Sequence, residues 1–206
     1  MAENLMTRTL RTSPAAHLAD VMEAATVTGT RAVSLREIAF AVQIGLRAEP
    51  GSPSAQALES TLGLTLPAGH GQTTGDAAGQ HVLWLSPDEF LAVDVSREQS
   101  TGDADALEAA LEGLPGQALD LSANRTILVL AGPSAREVLE KGCQADLHPR
   151  SFPVGHGIVT SVGPAPVLLH RSGEQEYRLY PRASFAEFLV RWLVDSMQEF
   201  RQEDVL

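Results

Sequence analysis

Several residue types are scarce in this sequence of 206 residues, and each scarcity excludes a class of protein. The single cysteine, Cys143, cannot form an internal disulfide or a metal site built from several thiolates. The N-terminal segment has no apolar core of the length that a secretory signal peptide requires. No stretch approaches the roughly 20 apolar residues of a membrane-spanning helix. We therefore expect a cytoplasmic protein that does not cross a membrane.

Positive charge is also scarce. The chain has 15 Lys and Arg residues against 26 Asp and Glu residues, which leaves a formal net charge of −11. A protein this acidic repels phosphate backbones, and no run of five basic residues offsets that repulsion. The composition therefore argues against nucleic-acid binding.

Apolar residues make up 44% of the chain, which is enough to build a hydrophobic core. Their spacing divides the sequence into an N-terminal arm, two halves of similar length and a short tail. These parts are residues 1–34, 35–122, 123–200 and 201–206.

The arm is predicted to contain one short amphipathic helix. Ser13-Pro14 is a favourable helix start, since serine caps the N-terminus and proline suits the first helical position. Four apolar residues then fall on one face, namely Leu18, Val21, Met22 and Ala25. Such a short helix is not stable alone, so it docks either on the body of this chain or on a partner.

The first half is predicted to begin with one long strand. Within the apolar stretch from residue 35 to residue 48, large apolar residues alternate strictly, as in a half-buried strand, namely Ile38, Phe40, Val42, Ile44 and Leu46. A helix then begins at Ser52-Pro53 and ends at Gly63. The further elements predicted in this half are a mobile glycine-rich loop at 67–79, hairpin strands at 81–85 and 90–95, a helix capped by Asp103, and a strand at 117–121.

The second half is predicted to repeat this order. A strand at 126–130 turns through Gly132-Pro133 into a helix that ends at Lys141-Gly142. The remaining predicted elements are strands at 157–162, 167–170 and 177–180, and a final helix that opens with the capping box from Ser184 to Glu187.

Two hairpins indicate an internal repeat. VLWLSPDEFLAV and VLLHRSGEQEYRLY both have an acidic turn and are both followed by a helix, at a spacing of about 80 residues. The order predicts an α+β fold made of two intertwined split β-α-β (ferredoxin-like) repeats, with antiparallel sheets covered by helices.

Few residues suggest a reaction centre. Cys143 follows a helix C-terminus, where the dipole disfavours a thiolate, so we interpret it as a packing residue, although His148 is near enough in sequence to pair with it. His148 and His156 share one loop and could bind a metal together, but further ligands are scarce there. Gly132 begins a strand-to-helix turn that could bind an anion, yet no nucleotide-binding motif accompanies it.

Five segments together carry a family resemblance: LREIAFAVQIGLR, LGLTLP, HVLWLSPDEFLAV, DLSANRTILVLAGPSAREVLEKGCQADLHPRSFPVG and PVLLHRSGEQEYRLYPRASFAEFLVRWL. They resemble the gamma subunits of heterotetrameric sarcosine oxidases, over roughly residues 35 to 195. The succession of KGC, DLHPR and FPVG is the most specific part. The second half is also similar to the tetrahydrofolate-dependent aminomethyltransferases, such as the T-protein of glycine cleavage.

The resemblance implies a non-catalytic structural subunit. The enzyme it implies demethylates sarcosine oxidatively to glycine, with hydrogen peroxide and formaldehyde or methylenetetrahydrofolate as the other products. No cofactor and no catalytic residue are expected on this chain. FAD, FMN, NAD and zinc are expected on the alpha, beta and delta partner subunits.

The resemblance also implies that folate chemistry is lost. Aminomethyltransferases bring a carboxylate near the start of the late strand, and the corresponding positions fall on Ala165 and Pro166. Neither side chain can transfer a proton or hold a charge. We therefore expect the fold to be kept without the reaction.

Two short apolar segments are the candidate contacts with partner subunits. The candidate residues are Leu18, Val21, Met22, His148, Pro149, Phe152 and Pro153. One alternative is a stand-alone folate-binding protein or folate-dependent enzyme. Another is an iron–sulfur maintenance protein of the same fold, which would need a reactive cysteine in Lys141-Gly142-Cys143.

Overall fold

The computed structural model describes residues 10–201, and this part of the chain forms ten strands and five α-helices. The helices are α1 (Ala19–Ala24), α2 (Pro53–Leu62), α3 (Asp105–Ala110), α4 (Ala135–Glu140) and α5 (Ala186–Met197). The strands are β1 (Ser34–Ile38), β2 (Ala41–Arg47), β3 (Thr73–Gly75), β4 (Gln80–Ser86), β5 (Glu89–Glu98), β6 (Gln117–Asp120), β7 (Ile127–Ala131), β8 (Gly157–Val162), β9 (Ala165–Gly173) and β10 (Glu176–Pro181). None of the described helices has both the length and the apolar character needed to cross a membrane.

The strands form two five-stranded antiparallel sheets. Sheet I has the order β1-β7-β10-β9-β8, and sheet II has the order β3-β4-β5-β2-β6. The predicted α+β class is therefore confirmed. The predicted strands from residue 81 onward are also confirmed, with ends displaced by three residues or fewer.

The sheets lie face to face with helices on their outer sides. One core joins sheet I to α1, α4 and α5, and a second core joins sheet II to α2 and α3. A third apolar layer lies between the sheets. It contains Leu83 and Leu91 from sheet II and Ile127, Leu168 and Tyr180 from sheet I. Along the central strands of both sheets, the side chains alternate between an outer helix layer and this inner layer.

The prediction of one strand over residues 35–48 is wrong. The run is two strands, β1 and β2, which belong to different sheets. The chain crosses between the sheets at Phe40, which has a φ of 58°, a left-handed conformation that no alternation pattern reveals. As a result, β1 pairs with β7 of the second half, although the predicted division places residue 35 in the first half.

The arm docks on the body of this chain, which was one of the two alternatives. Leu18, Met22 and Ala25 are buried in the core of sheet I, whereas Val21 is exposed. The predicted start of the helix is wrong: a 3-10 turn (Ala16–Leu18) precedes α1, and no side chain caps either segment. The Ser13 hydroxyl instead donates to the Glu37 carboxylate.

Segment 67–79 is more structured than predicted. It contains β3, which pairs with β4 at the edge of sheet II. It also contacts sheet I, because Gly71 forms a β-bridge with Gly157 and the Thr73 hydroxyl donates to the Gly155 carbonyl at 2.6 Å. The glycine-rich composition therefore marks a close approach of the two sheets.

Two predicted helix caps are wrong because the side chains have other partners. The Asp103 carboxylate accepts hydrogen bonds from the Ser100 backbone and from Arg97, and α3 begins after Ala104 without a side-chain cap. At α5, Ser184 lies inside a 3-10 turn, and Glu187 pairs with Arg191 at 2.9 Å.

The boundaries of α2 are confirmed. The Ser52 hydroxyl accepts a hydrogen bond from the Ala55 N–H at 3.2 Å, and Pro53 is the first helical residue. Gly63 ends the helix in the left-handed conformation, with a φ of 69°.

Replacing the cap of α2 should lower stability. Because Ser52→Ala leaves one N-terminal N–H of the helix without its acceptor, we expect a loss of about 1 kcal/mol of unfolding free energy. Chemical denaturation measures this loss. Ser60→Ala, at an exposed position of the same helix, is the control and should have no measurable cost. Equal stability of Ser52→Ala and Ser60→Ala would contradict the assigned cap.

Candidate functional site

A cluster of polar side chains is buried between the two sheets. His81 lies on β4, His170 on β9, and Arg178 and Tyr180 on β10. The two imidazole centroids are 5.4 Å apart, and His81 Nε2 lies 3.2 Å from the Tyr180 hydroxyl. The Arg178 guanidinium donates to the Ala77 carbonyl, in the turn between β3 and β4 of the facing sheet, and pairs with Glu176 at 3.2 Å. The cluster therefore links sheet I to sheet II.

The hydrogen bonds of His81 define its neutral form. Its Nδ1 lies 3.2 Å from the Gly79 carbonyl, which can only accept, so Nδ1 carries the proton. Its Nε2 then accepts from the Tyr180 hydroxyl. In contrast, both ring nitrogens of His170 are buried with no hydrogen-bond partner in the described structure.

Burial keeps both histidines neutral over the physiological range. It lowers the pKa of His81 to about 4, against the opposing effect of the Gly79 hydrogen bond. Burial also lowers the pKa of His170 to about 3, with smaller contributions from the charges of His81 and Arg178. Burial raises the pKa of the Tyr180 phenol. Since each histidine is only 1% exposed, the cluster can join the sheets but offers no path to a substrate.

The positions expected to have lost a carboxylate lie at the start of β9. Ala165 is fully buried, and Pro166 is exposed. Pro166 helps to line a surface cavity of about 390 Å³, which we call the arginine groove. Its lining residues are Arg125, Val159, Pro166, Val167, Leu168, Arg182 and Phe185. Within residues 10–201, this lining contains two arginines and no carboxylate.

Cys143 has the character of a packing residue. It is half-buried, packs against the core of sheet I, and lies in a β-bridge with Val162. Burial raises the pKa of its thiol, which keeps it protonated at neutral pH. His148 accepts a hydrogen bond from the Arg150 N–H through Nδ1. These observations do not favour the reactive-cysteine alternative.

The candidate metal pair is not accompanied by further ligands. His156 stacks edge-on against Phe152, and His148 lies exposed at the other end of the segment. No group of three or more His, Cys, Asp and Glu residues in the described chain is placed to hold a metal.

The candidate partner-contact residues fall into two groups. Leu18, Met22 and Phe152 are buried in the core of sheet I, so in this conformation they cannot contact another chain, which corrects the prediction for these three. Their apolar character serves the core of this chain. The remaining four are at the surface and stay candidates, namely Val21, His148, Pro149 and Pro153.

Sequence reasoning missed both the histidine pair and the arginine groove. A partial signal was present for the histidines. His81 is two residues from Leu83, and His170 is two residues from Leu168, so each histidine shares a strand face with an apolar residue. No such signal exists for Arg125 and Arg182. They become neighbours only through the β-bridge between the segments that flank β7 and β10.

Comparison with known proteins decides the family. The sequence profile of the sarcosine oxidase, gamma subunit family matches residues 45–199. The chain belongs to this family. A gamma subunit of sarcosine oxidase from Corynebacterium sp. (strain U-96) is 55% identical over 196 residues, covering 95% of this chain and 94% of that protein. Another from Arthrobacter sp. is 50% identical over 207 residues and covers all of both chains. The resemblance stated from the sequence is confirmed.

Solved structures agree with this family and show a wider fold relationship. A chain of the heterotetrameric sarcosine oxidase from Corynebacterium sp. U-96, in complex with pyrrole 2-carboxylate, matches with a TM-score of 0.91 and 55% identity. The match covers 96% of this gamma-family chain and 100% of that chain. The glycine cleavage aminomethyltransferase T from Bartonella henselae matches with a TM-score of 0.63 and 21% identity, over 91% of this chain and 58% of that one. The second match shows a shared fold.

Proposed function

We propose that the chain is a non-catalytic structural subunit of a heterotetrameric sarcosine oxidase. This enzyme oxidatively demethylates sarcosine to glycine, with hydrogen peroxide and formaldehyde or methylenetetrahydrofolate as further products. The observation that carries the proposal is the near-complete structural match to a chain of such a complex, at more than half sequence identity.

The lining of the arginine groove and the burial of the histidine pair support a structural role. A subunit that performed folate chemistry would need an ionisable side chain facing an accessible cavity. The arginine groove instead presents Pro166 at the expected position, and Ala165 faces the core. The buried histidines are neutral and sealed from solvent.

The cofactors are assigned to companion subunits. We expect FAD, FMN, NAD and zinc on alpha, beta and delta subunits of the complex, and none on this chain. The cysteine and histidines of the described residues form no ligand cluster suited to zinc, which supports this assignment.

We also infer that the two sheets are intertwined repeats of one split β-α-β unit. The orders β3-β4-β5-β2-β6 and β8-β9-β10-β7-β1 correspond position by position. In this correspondence β1 takes the place of β6, although β1 comes from the beginning of the chain. The exchange of this one strand joins the two halves into one body.

Co-expression tests the proposed function. The chain should co-purify with companion subunits as a complex of fixed stoichiometry, because family members are subunits of such an assembly. Native mass spectrometry of the purified complex measures the copy number. A chain that stays monomeric when intact companion subunits are present would contradict the proposal.

The alternative is a folate-binding protein, which the fold shared with an aminomethyltransferase favours. We expect the isolated chain to show no micromolar binding of a reduced folate, since the groove lacks an ionisable carboxylate. Isothermal titration of the isolated chain checks this, with an aminomethyltransferase as positive control. Micromolar binding to the isolated chain would favour the alternative.

A further inference from the structure

The arginine groove lies on the inner face of sheet I, where sheet II no longer covers it. Val159 on β8 and Leu168 on β9 are directly opposed in antiparallel register, so their side chains share one face. Leu168 is 2% exposed and belongs to the layer between the sheets, whereas Val159 is 60% exposed. The inner face of sheet I is therefore covered by sheet II at Leu168 and open to solvent at Val159, the residue opposite.

Two guanidinium groups border this open apolar face. Arg125 and Arg182 are cross-strand neighbours, and Arg125 Nη1 donates to the Tyr180 carbonyl at 3.0 Å. Neither arginine forms an ion pair with a carboxylate anywhere in residues 10–201. Burial and the nearby charge of Arg182 lower the pKa of Arg125. The negative charge of Glu89 opposes this lowering. Within residues 10–201 the two guanidinium groups therefore lie side by side without a carboxylate in direct contact, in a chain whose formal net charge is −11.

We infer that the arginine groove is a docking site for a segment of a companion subunit that presents a carboxylate beside an apolar side chain. A carboxylate can accept paired hydrogen bonds from guanidinium groups, and Val159, Pro166 and Phe185 supply an apolar surface beside them. This inference rests on the proposed function, because it requires companion subunits.

The openness of the groove favours a protein segment over a small ligand. Small-molecule sites enclose about 70–90% of the ligand surface, whereas Val159 at the groove is more than half exposed. Arginine is one of the residue types enriched among the side chains that contribute most to protein–protein binding, and here Arg125 is half-buried and Arg182 is exposed. An acidic segment would cover Val159 and neutralise both guanidinium groups in one contact.

Competition during assembly tests the inference. Tagged Arg182→Glu would be co-expressed with equal amounts of wild-type chain and the companion subunits, and the ratio of the two forms in the purified complex would be measured by mass spectrometry. We expect the share of Arg182→Glu in the complex to fall by about tenfold or more, because the introduced glutamate would repel the companion carboxylate that Arg182 attracts. Arg191→Glu makes the same charge change at an exposed site of α5 and should be incorporated like wild type.

A second variant separates docking from folding. Val159→Asp changes an exposed side chain of the groove, so the isolated variant should keep the wild-type melting temperature while its share in the complex falls. Equal incorporation of Arg182→Glu, Val159→Asp and wild type would overturn the inference. So would an equal loss for Arg191→Glu, or binding of an anionic folate to the isolated chain that Arg182→Glu abolishes. If wild-type chain is not incorporated at all, the proposed function itself fails.

Discussion

Acidification from about pH 8 to about pH 5 is expected to lower the unfolding free energy of the chain by about 4 kcal/mol, through His81 and His170 alone. In the unfolded chain both imidazoles have an ordinary pKa near 6.5. In the folded chain burial lowers the pKa to about 4 for His81 and to about 3 for His170. Below about pH 6.5 the unfolded state therefore binds two protons that the folded state excludes.

The direction of this effect follows from the lowered pKa values. Above about pH 6.5 both states are neutral at these positions, so stability is fully present. As the pH falls towards the folded pKa values, each histidine contributes a loss of about 2 kcal/mol at about pH 5. Three groups face the histidine pair, namely Arg178, Tyr180 and Asp76. Within residues 10–201, no carboxylate forms a direct ion pair with either imidazole that would oppose this loss of stability.

His170→Leu provides the test of this linkage. Because both ring nitrogens of His170 lack partners, leucine of similar size should keep the stability at about pH 8 within about 1 kcal/mol of wild type. The loss between about pH 8 and about pH 5 should fall to about half. Urea denaturation at several pH values measures both quantities. Ser60→Ala, which removes no ionisable group, is the control and should keep the wild-type slope, and an unchanged slope for His170→Leu would refute the account.

Gly132→Ala is expected to cost about 3 kcal/mol or more of unfolding free energy. Gly132 follows the last residue of β7 and has a φ of 127°, a region that side-chain-bearing residues rarely adopt. A Cβ there would also overlap the backbone carbonyl oxygen of Ala32. The backbone amide of Ser134 donates to this same carbonyl at 3.2 Å, so moving Ala32 away would weaken a hydrogen bond.

The control for this variant is another glycine in an open position. Gly69→Ala has no atom within 4 Å of the added Cβ and no left-handed backbone, so its stability should stay within about 0.5 kcal/mol of wild type. Thermal and chemical denaturation of both variants make the comparison. Equal stability of Gly132→Ala and Gly69→Ala would contradict the close contact between Gly132 and the Ala32 carbonyl. The same geometry explains Gly132 without the anion site that the sequence allowed.

The sequence predicted best those elements that local chemistry specifies. Helix α2 follows from Ser52, Pro53 and Gly63, because each residue acts on the backbone within one helical turn. The capping box at Ser184 has an equally suitable pattern but fails, because Ser184 lies inside a 3-10 turn and Glu187 pairs with Arg191 and His17. A local pattern therefore predicts a cap only where no neighbouring side chain competes.

Features that depend on contacts distant in sequence were beyond prediction. The left-handed Phe40 divides one alternating run between two sheets, and the alternation continues unchanged on both sides. The meeting of His81 with His170 depends on how the sheets stack, and that of Arg125 with Arg182 on strand pairing. The family resemblance predicted the missing carboxylate at Ala165 and Pro166, but only the fold shows that Pro166 borders an open groove.

The activity of the isolated chain is the most direct test of its structural role. Purified chain would be incubated with sarcosine, oxygen and added flavin, and hydrogen peroxide would be measured beside the complete complex at equal concentration. We predict peroxide production by the complex and none above the enzyme-free blank by the chain alone. Sarcosine-dependent peroxide from the chain alone, at a rate comparable with that of the complex, would contradict the account.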